Sequence, residues 1–225
     1  MIGMLFLILT LVIYTGNKKL YTKIPKVYLS PLLVTPLVLV GILLWAKIPY
    51  ETYNSGAKLL TDLLQPATVA FAVPLYKHFK VLKKHAAEIV VSVIFGSVLA
   101  VLSSAALAKW MHLSGQLVHS LVPRSITTPI AMNVSQMIGG VPNMTAIFVI
   151  MTGLFGSMMG PSILRLFRIE GEIARGVLFG TSSHGTGTSK AFEFSSLSGT
   201  ISSISMILAA LFTLCFAPLL SSVLF

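Results

Sequence analysis

Long apolar runs alternate with short polar breaks along this chain. The runs fall near 2–17, 28–48, 56–76, 86–110, 143–164, 173–194 and 196–224. Most reach the length of about 20 residues that carries a helix across the hydrocarbon core of a bilayer. The first is shorter, and its helix is expected to continue to about Leu20. With short loops, a chain of 225 residues holds roughly seven or eight such helical segments. The pattern predicts an all-α integral membrane protein, with residues 1–225 as a single transmembrane domain, because no stretch is long and polar enough to fold apart.

Two of the segments should be broken. Residues 56–76 carry Pro66 and Pro74; residues 120–142 carry Pro123, Pro129, the Gly139-Gly140 pair and Pro142. Proline removes a backbone donor and disfavours helix at the residue before it. Proline/glycine-broken or re-entrant segments are therefore expected at both places. A weak internal repeat accompanies them: Ala67–Val73 lines up with Thr128–Val134, and Phe95-Gly96-Ser97 recurs 60 residues on as Phe155-Gly156-Ser157. Paired interrupted segments in two halves of a chain point to a transporter binding site.

Composition agrees with the pattern: 55% of residues are apolar and only 10% charged, against about 25% charged in soluble domains. The net charge is +10, concentrated at Lys18, Lys19, Lys23 and Lys26, at Lys77, Lys80, Lys83 and Lys84, and at Arg165, Arg168 and Arg175. Clusters between apolar runs read as cytoplasmic loop charge, not as a nucleic-acid surface. Placing all three on one side puts eleven Lys/Arg there, against Lys47, Lys58 and Lys109 opposite. That count works only if 120–142, or another segment, enters and leaves by one face. The single cysteine, Cys215, excludes an internal disulfide and reads as a small buried hydrophobe. Residues 2–16 lack a basic n-region and a small-residue cleavage site, so they read as a retained first helix.

The residues from Gly180 to Lys190 are all Gly, Ser, Thr, His or Lys. Such backbone is tolerated at membrane depth only when it is buried in protein or lines a wet cavity. Ser183, His184, Thr186 and Thr188 are therefore candidate solute ligands, with Gly185 and Gly187 as candidate helix breaks. His184 titrates near neutral pH and is also a coupling candidate; the plainer reading is a neutral histidine bonded to neighbouring groups. Arg124, beside Pro123, offers a permanent charge and a planar fork that fits a carboxylate; the plainer reading is an interfacial arginine snorkelling to headgroups. Ser125, Thr127 and Thr128 would cap a half-helix whose free N–H groups attract an anion. Thr68, in the first broken segment, joins the substrate-binding set. Asp62 and Lys190 are further coupling candidates, although Lys190 can pair with Glu193 at i and i+3. Glu88 reads as a partner of Lys84, and His78, His85, His112 and His119 as loop residues. No P-loop order, metal-ligand spacing or nucleophile elbow is present. The chain reads as a non-enzyme without cofactor or metal.

Four blocks carry a resemblance: Leu64–Tyr76 (LQPATVAFAVPLY), Pro123–Ala131 (PRSITTPIA), Ile138–Pro142 (IGGVP) and Gly180–Thr188 (GTSSHGTGT). Together, and in this order, they resemble the LrgB/CidB family. The resemblance implies a multi-pass protein of the bacterial inner (plasma) membrane, a small LrgA/CidA-like membrane partner and self-association as a homo-oligomer. It implies one of two functions. The chain would carry small monocarboxylates of the pyruvate or glycolate kind and so influence murein hydrolases and lysis. Alternatively, it would act as a holin/antiholin-like oligomer or regulatory scaffold of autolysis without carrier activity. Ser135-Gln136 departs from the Ser-Glu of many relatives, which removes a carboxylate that could couple protons.

Overall fold

A computed structural model of the chain describes residues 2–24, 29–63, 66, 69–70 and 72–224. They form two compact units, Met1–Ala72 and Val73–Phe225. Thr68 and Gln65 lie outside the described residues, as do Ala67 and Phe71 of the Ala67–Val73 limb of the proposed repeat.

In the first unit, α1 (Ile2–Lys23) packs on both α2 (Pro31–Trp45) and α3 (Tyr50–Asp62). Gly3 and Gly56 let α1 and α3 touch backbone to backbone, since a Cβ on Gly56 would collide with the Gly3 carbonyl. Polar side chains close the remaining gaps: the Thr10 hydroxyl meets Tyr53 Oη at 3.1 Å, and Asn17 Nδ2 donates to Thr35 Oγ1 at 3.1 Å. Pro36 sits inside α2 without ending it, and α3 ends at Asp62, before Pro66.

The second unit begins within α4 (Ala72–Lys77). Pro74, an expected break, stands in the first turn of this helix. Then come α5 (Phe79–Lys84), α6 (Ala86–Trp110), α7 (Gly115–Leu121), α8 (Thr128–Met137), α9 (Pro142–Leu166), α10 (Glu172–Phe194) and α11 (Ser196–Leu224). Among the described residues, α1, α6, α9 and α11 are long and apolar enough to cross a membrane.

The two intervening stretches are hairpins. Ser120 near the end of α7 and Ser135 near the end of α8 both pack where a Cβ of Gly140 would be, so the arms lie side by side. The Val141 N–H donates to Ser120 Oγ at 2.7 Å, and Thr145 Oγ1 donates to Ser135 Oγ at 2.7 Å, so both arms join at the start of α9. Pro123 follows the end of α7, whereas Pro129 stands in the first turn of α8, where its missing N–H costs nothing. Gly139, at φ 86, makes the turn into α9. The backbone at 120–142 thus enters and leaves at one end of the unit.

The segment 173–194, read as an apolar span, is a second hairpin. Its break falls on His184 (φ 42, ψ −130), not on Gly185 or Gly187. The arms 172–183 and 185–194 fold back on each other: Phe179 stacks on Phe194 at 5.8 Å, and the Arg175 guanidinium lies 5.0 Å from the centre of the Phe194 ring. Each arm is about 18 Å long or less, too short to cross a hydrocarbon core of about 30 Å. Ser198 Oγ donates to the Glu172 carbonyl at 3.0 Å, so α11 starts beside the base of this hairpin.

The unit therefore alternates long helix and hairpin: α6, α7–α8, α9, α10, α11. The basic residues Lys83, Lys84, Arg165, Arg168 and Arg175 cluster at one end, and the α10 hairpin enters from there. The α7–α8 hairpin enters from the opposite end, next to Lys109. The Phe-Gly-Ser repeat marks equivalent points on the antiparallel helices α6 and α9. In both copies Phe is exposed, Gly faces α10 and Ser is buried.

Other readings change. Cys215 is exposed on α11, as a residue facing lipid is. His119 belongs to α7, while His78 stays in the turn between α4 and α5 and hydrogen-bonds Ser196 Oγ at 3.1 Å. Glu88 pairs with His85 Nδ1 at 3.0 Å, not with Lys84.

The first arm of α10 and α11 approach so closely that a Cβ on Gly180 would strike the Ser202 carbonyl and the Ser205 side chain. Overpacking of this kind costs about 1–3 kcal/mol. Gly180→Ala should lower the melting temperature of the detergent-solubilised protein. Gly41→Ala, where a Cβ meets nothing within 4 Å, should leave it unchanged or slightly higher.

Candidate functional site

The two hairpin tips meet on α9. Residues 122–127 form the first tip, and Arg124 reaches from it to two long helices: Nε donates to Ser104 Oγ on α6 at 2.8 Å, and a terminal nitrogen donates to Thr152 Oγ1 on α9 at 3.4 Å. Thr152 lies near the middle of α9. On the second tip, His184 Nε2 meets the Val149 carbonyl at 3.0 Å. A carbonyl only accepts, so Nε2 carries a proton and the tautomer is fixed. Gly153 and Gly156 make this approach feasible: a Cβ on the first would collide with His184 and Thr186, and one on the second with Ser183.

Between the tips lies a cavity of about 590 Å³, lined by Arg124, Ser104, Thr152 and Ser182 among its polar groups. Phe148, Met151, Phe155 and Met159 make its apolar wall. Arg124 has no anionic partner in its own unit: Glu88 pairs with His85, Glu193 with Lys190, and no ion pair involves Glu170 or Glu172 among the described residues. A guanidinium carries five N–H donors, and two of its nitrogens are engaged by neutral hydroxyls here. The N-terminus of α8 opens at the same tip, adding partial positive charge. Thr127 occupies its N-cap position without making a side-chain cap bond. The arrangement suits one negative group with a small, mainly apolar body.

Of the residues singled out in the sequence, Arg124 lines this cavity. Ser125 is buried behind it, and Thr127 and Thr128 begin α8. Ser183 bonds Ser182 Oγ at 2.9 Å and faces α9; Thr186 Oγ1 donates to the Ser183 carbonyl at 2.9 Å; Thr188 meets Ser202 Oγ at 2.9 Å. These three, with His184, fasten the second tip and do not line the cavity. Lys190 pairs with Glu193 at the far end of its arm, and Asp62 is exposed at the end of α3. Ser104, Thr152 and Ser182 line the cavity as well, without standing out in the sequence. Ser104 and Thr152 are single hydroxyls in apolar helices, with no local signal, whereas Ser182 lies next to Ser183 in the polar stretch.

The match to known proteins covers the whole of this arrangement. The family model described as LrgB-like matches residues 10–223. The chain belongs to the LrgB-like family. It is 65% identical to "Uncharacterized protein YwbG" of Bacillus subtilis over 98% of each chain. It is 37% identical to "Holin-like protein CidB" of Staphylococcus aureus, over 97% of this chain and 95% of the relative, and equally so to "Uncharacterized protein YxaC" of B. subtilis. No solved structure matches it. Of the blocks noted in the sequence, Pro123–Ala131 covers the first tip and the start of α8, Ile138–Pro142 the turn that ends the first hairpin, and Gly180–Thr188 the second tip.

His184 holds a backbone angle that side chains rarely adopt, at a cost of order 1–3 kcal/mol. His184→Ala loses the bond to Val149 and keeps the strain, whereas His184→Gly loses the bond and relieves the strain. Thermal unfolding should therefore rank wild type above His184→Gly, and His184→Gly above His184→Ala by about 1 kcal/mol. Equal stability of the two variants would mean that the native backbone is unstrained there.

Proposed function

We propose that this LrgB-like protein is a carrier of small monocarboxylates, of pyruvate or glycolate size, in the bacterial plasma membrane. The observation that carries the reading is Arg124: a permanent cation without an anionic partner among the described residues, in a mid-depth cavity between two hairpins of opposite entry. A lone charge at such depth is costly, and where it persists it is functional by default. Under the positive-inside rule the end bearing Lys83, Lys84, Arg165 and Arg168 is cytoplasmic. The α10 hairpin then enters from the cytoplasm and the α7–α8 hairpin from outside. The solute's carboxylate would bind Arg124 at the outer tip, while Ser182 of the inner tip faces the same solute. Alternate movement of the tips would expose it to either side. The fixed tautomer of His184 favours a tether over a proton carrier. Carboxylate flux would alter acidification, and through it murein hydrolases and lysis.

A second reading rests on the name of the CidB relative, "Holin-like protein". In it, the chain assembles as a homo-oligomer or with a small LrgA/CidA-like partner, and the assembly modulates autolysis without carrying a solute. Close packing between copies would use small-residue faces, but Gly153, Gly156 and Gly160 are already occupied by α10.

Uptake of labelled pyruvate and glycolate into proteoliposomes separates the two. The carrier reading expects saturable, competable uptake. Arg124→Ala should reduce it at least about ten-fold, the loss expected from removing a charge-assisted hydrogen bond. Arg124→Lys should recover only part, because the ammonium lacks the fork. Release of trapped dye-sized solutes without selective uptake would support the holin-like reading. Full uptake by Arg124→Ala would sink the site assignment.

A further inference from the structure

We propose that the tip of the α10 hairpin holds a second site of opposite sign: a sodium-sized monovalent cation bound by oxygen atoms between the last turn of the first arm, Ser97 of α6 and Ser205 of α11. Two buried hydroxyls without a hydrogen-bond partner point to it. Ser97 Oγ and Ser205 Oγ are unpaired among the described residues, and their residues are 3% and 0% exposed. Buried hydroxyls in a folded interior are normally paired, and exceptions call for an unseen ligand or water.

Both belong to the same neighbourhood. A Cβ on Gly180 would lie 2.7 Å from the Ser205 Cβ, and one on Gly96, the residue before Ser97, would lie 3.8 Å from the Thr181 side chain. Ser205 thus lies against Gly180 from α11, and Ser97 is buried one residue on from the α6 position that faces Thr181. The turn 180–183 ends at the break on His184. The last carbonyls of a helix have no intrahelical donor and form the negative end of its dipole. The Ser183 carbonyl takes the Thr186 hydroxyl at 2.9 Å. The Thr181 and Ser182 hydroxyls bond carbonyls one turn back, so the ligands the turn would offer an ion are its backbone carbonyls at the break, beside the two unpaired hydroxyls. Half-helix C-termini with unwound carbonyls are the usual sodium ligands in interrupted membrane helices.

The donor set decides the ion. It is all oxygen and all neutral, and the described residues hold no cluster of His, Cys, Asp or Glu fit for a metal. Hard cations take oxygen ligands, and a divalent ion in hydrocarbon would lack the carboxylates that normally bind it. A small monovalent cation fits. Ser182 of the same turn lines the Arg124 cavity, so an ion here would set the position of the wall that the solute touches. That consequence rests on the carrier reading; the binding itself does not.

The test is thermal unfolding of the purified full chain in NaCl, KCl or choline chloride at constant ionic strength. A ligand that binds only the folded state raises its stability with concentration. The expected result is a sodium-specific rise in melting temperature that Ser205→Ala and Ser97→Ala each diminish and the double variant abolishes. In choline these variants should melt no lower than wild type, because each removes an unpaired oxygen and little volume. No sodium-specific rise in wild type overturns the proposal and assigns the place to water, as does a full rise in the double variant. Should the sodium effect hold while proteoliposomes show no uptake, the carrier reading fails and the site stands.

Discussion

Backbone broken inside hydrocarbon has no water to satisfy it, so every freed N–H and C=O must find a protein partner or a wet cavity. The second unit contains two such breaks, at 122–127 and at His184, and both are brought to the middle of α9. Arg124 is fixed by hydroxyls of α6 and α9, and His184 by the Val149 carbonyl. The hairpin arms are too short to span, so they exist only as long as α6, α9 and α11 enclose them. Separated from those helices, the tips would present polar backbone and a charge to lipid.

This constraint explains the small residues. Hydrophobic burial offers little drive between helices already in lipid, and close approach and hydrogen bonding take its place. Gly153, Gly156 and Gly160 open α9 to the tip and first arm of α10; Gly176 and Gly180 open that arm to α11. The buried run Ser198, Thr200, Ser202, Ser203 and Ser205 does the same for α11. Thr200 and Ser203 donate to carbonyls of their own helix, which hides their polarity and keeps them small. The serine content of α11 is therefore a packing property, with Ser202 and Ser205 set apart: one is paired to Thr188, the other unpaired.

Legibility in the sequence followed how each residue acts. Pro123, Pro129 and Gly139-Gly140 alter the backbone by themselves, so the first hairpin could be read at 120–142, and charge counting required such an element. Arg124 stood out because a charge in an apolar stretch is rare. The second hairpin was read as an apolar segment because its positive φ sits on a histidine, at a place where glycines two positions apart drew attention. Tertiary contacts with α9 and α11 hold that angle, and local propensity gives no hint of them. Ser104 and Thr152 were invisible for the same reason: a single hydroxyl in an apolar helix gains meaning only from the arginine opposite. Lys190 with Glu193 was readable because three residues on a helix are enough to make that pair.

The two tips are unequal, and the inequality bears on which one moves. Arg124 is bonded to two different long helices, so displacing its tip breaks contacts on α6 and α9 together. The second tip is tethered to α9 through the His184 bond to the Val149 carbonyl, and its backbone is strained at the residue that carries the tether. Release of His184 would therefore recover strain energy that partly offsets the lost hydrogen bond. Movement of the Arg124 tip has no such compensation. If the protein is the carrier proposed above, the energetics favour the Arg124 tip as the fixed one and the His184 tip as the one that moves, with Gly153 and Gly156 as the smooth surface against which it shifts.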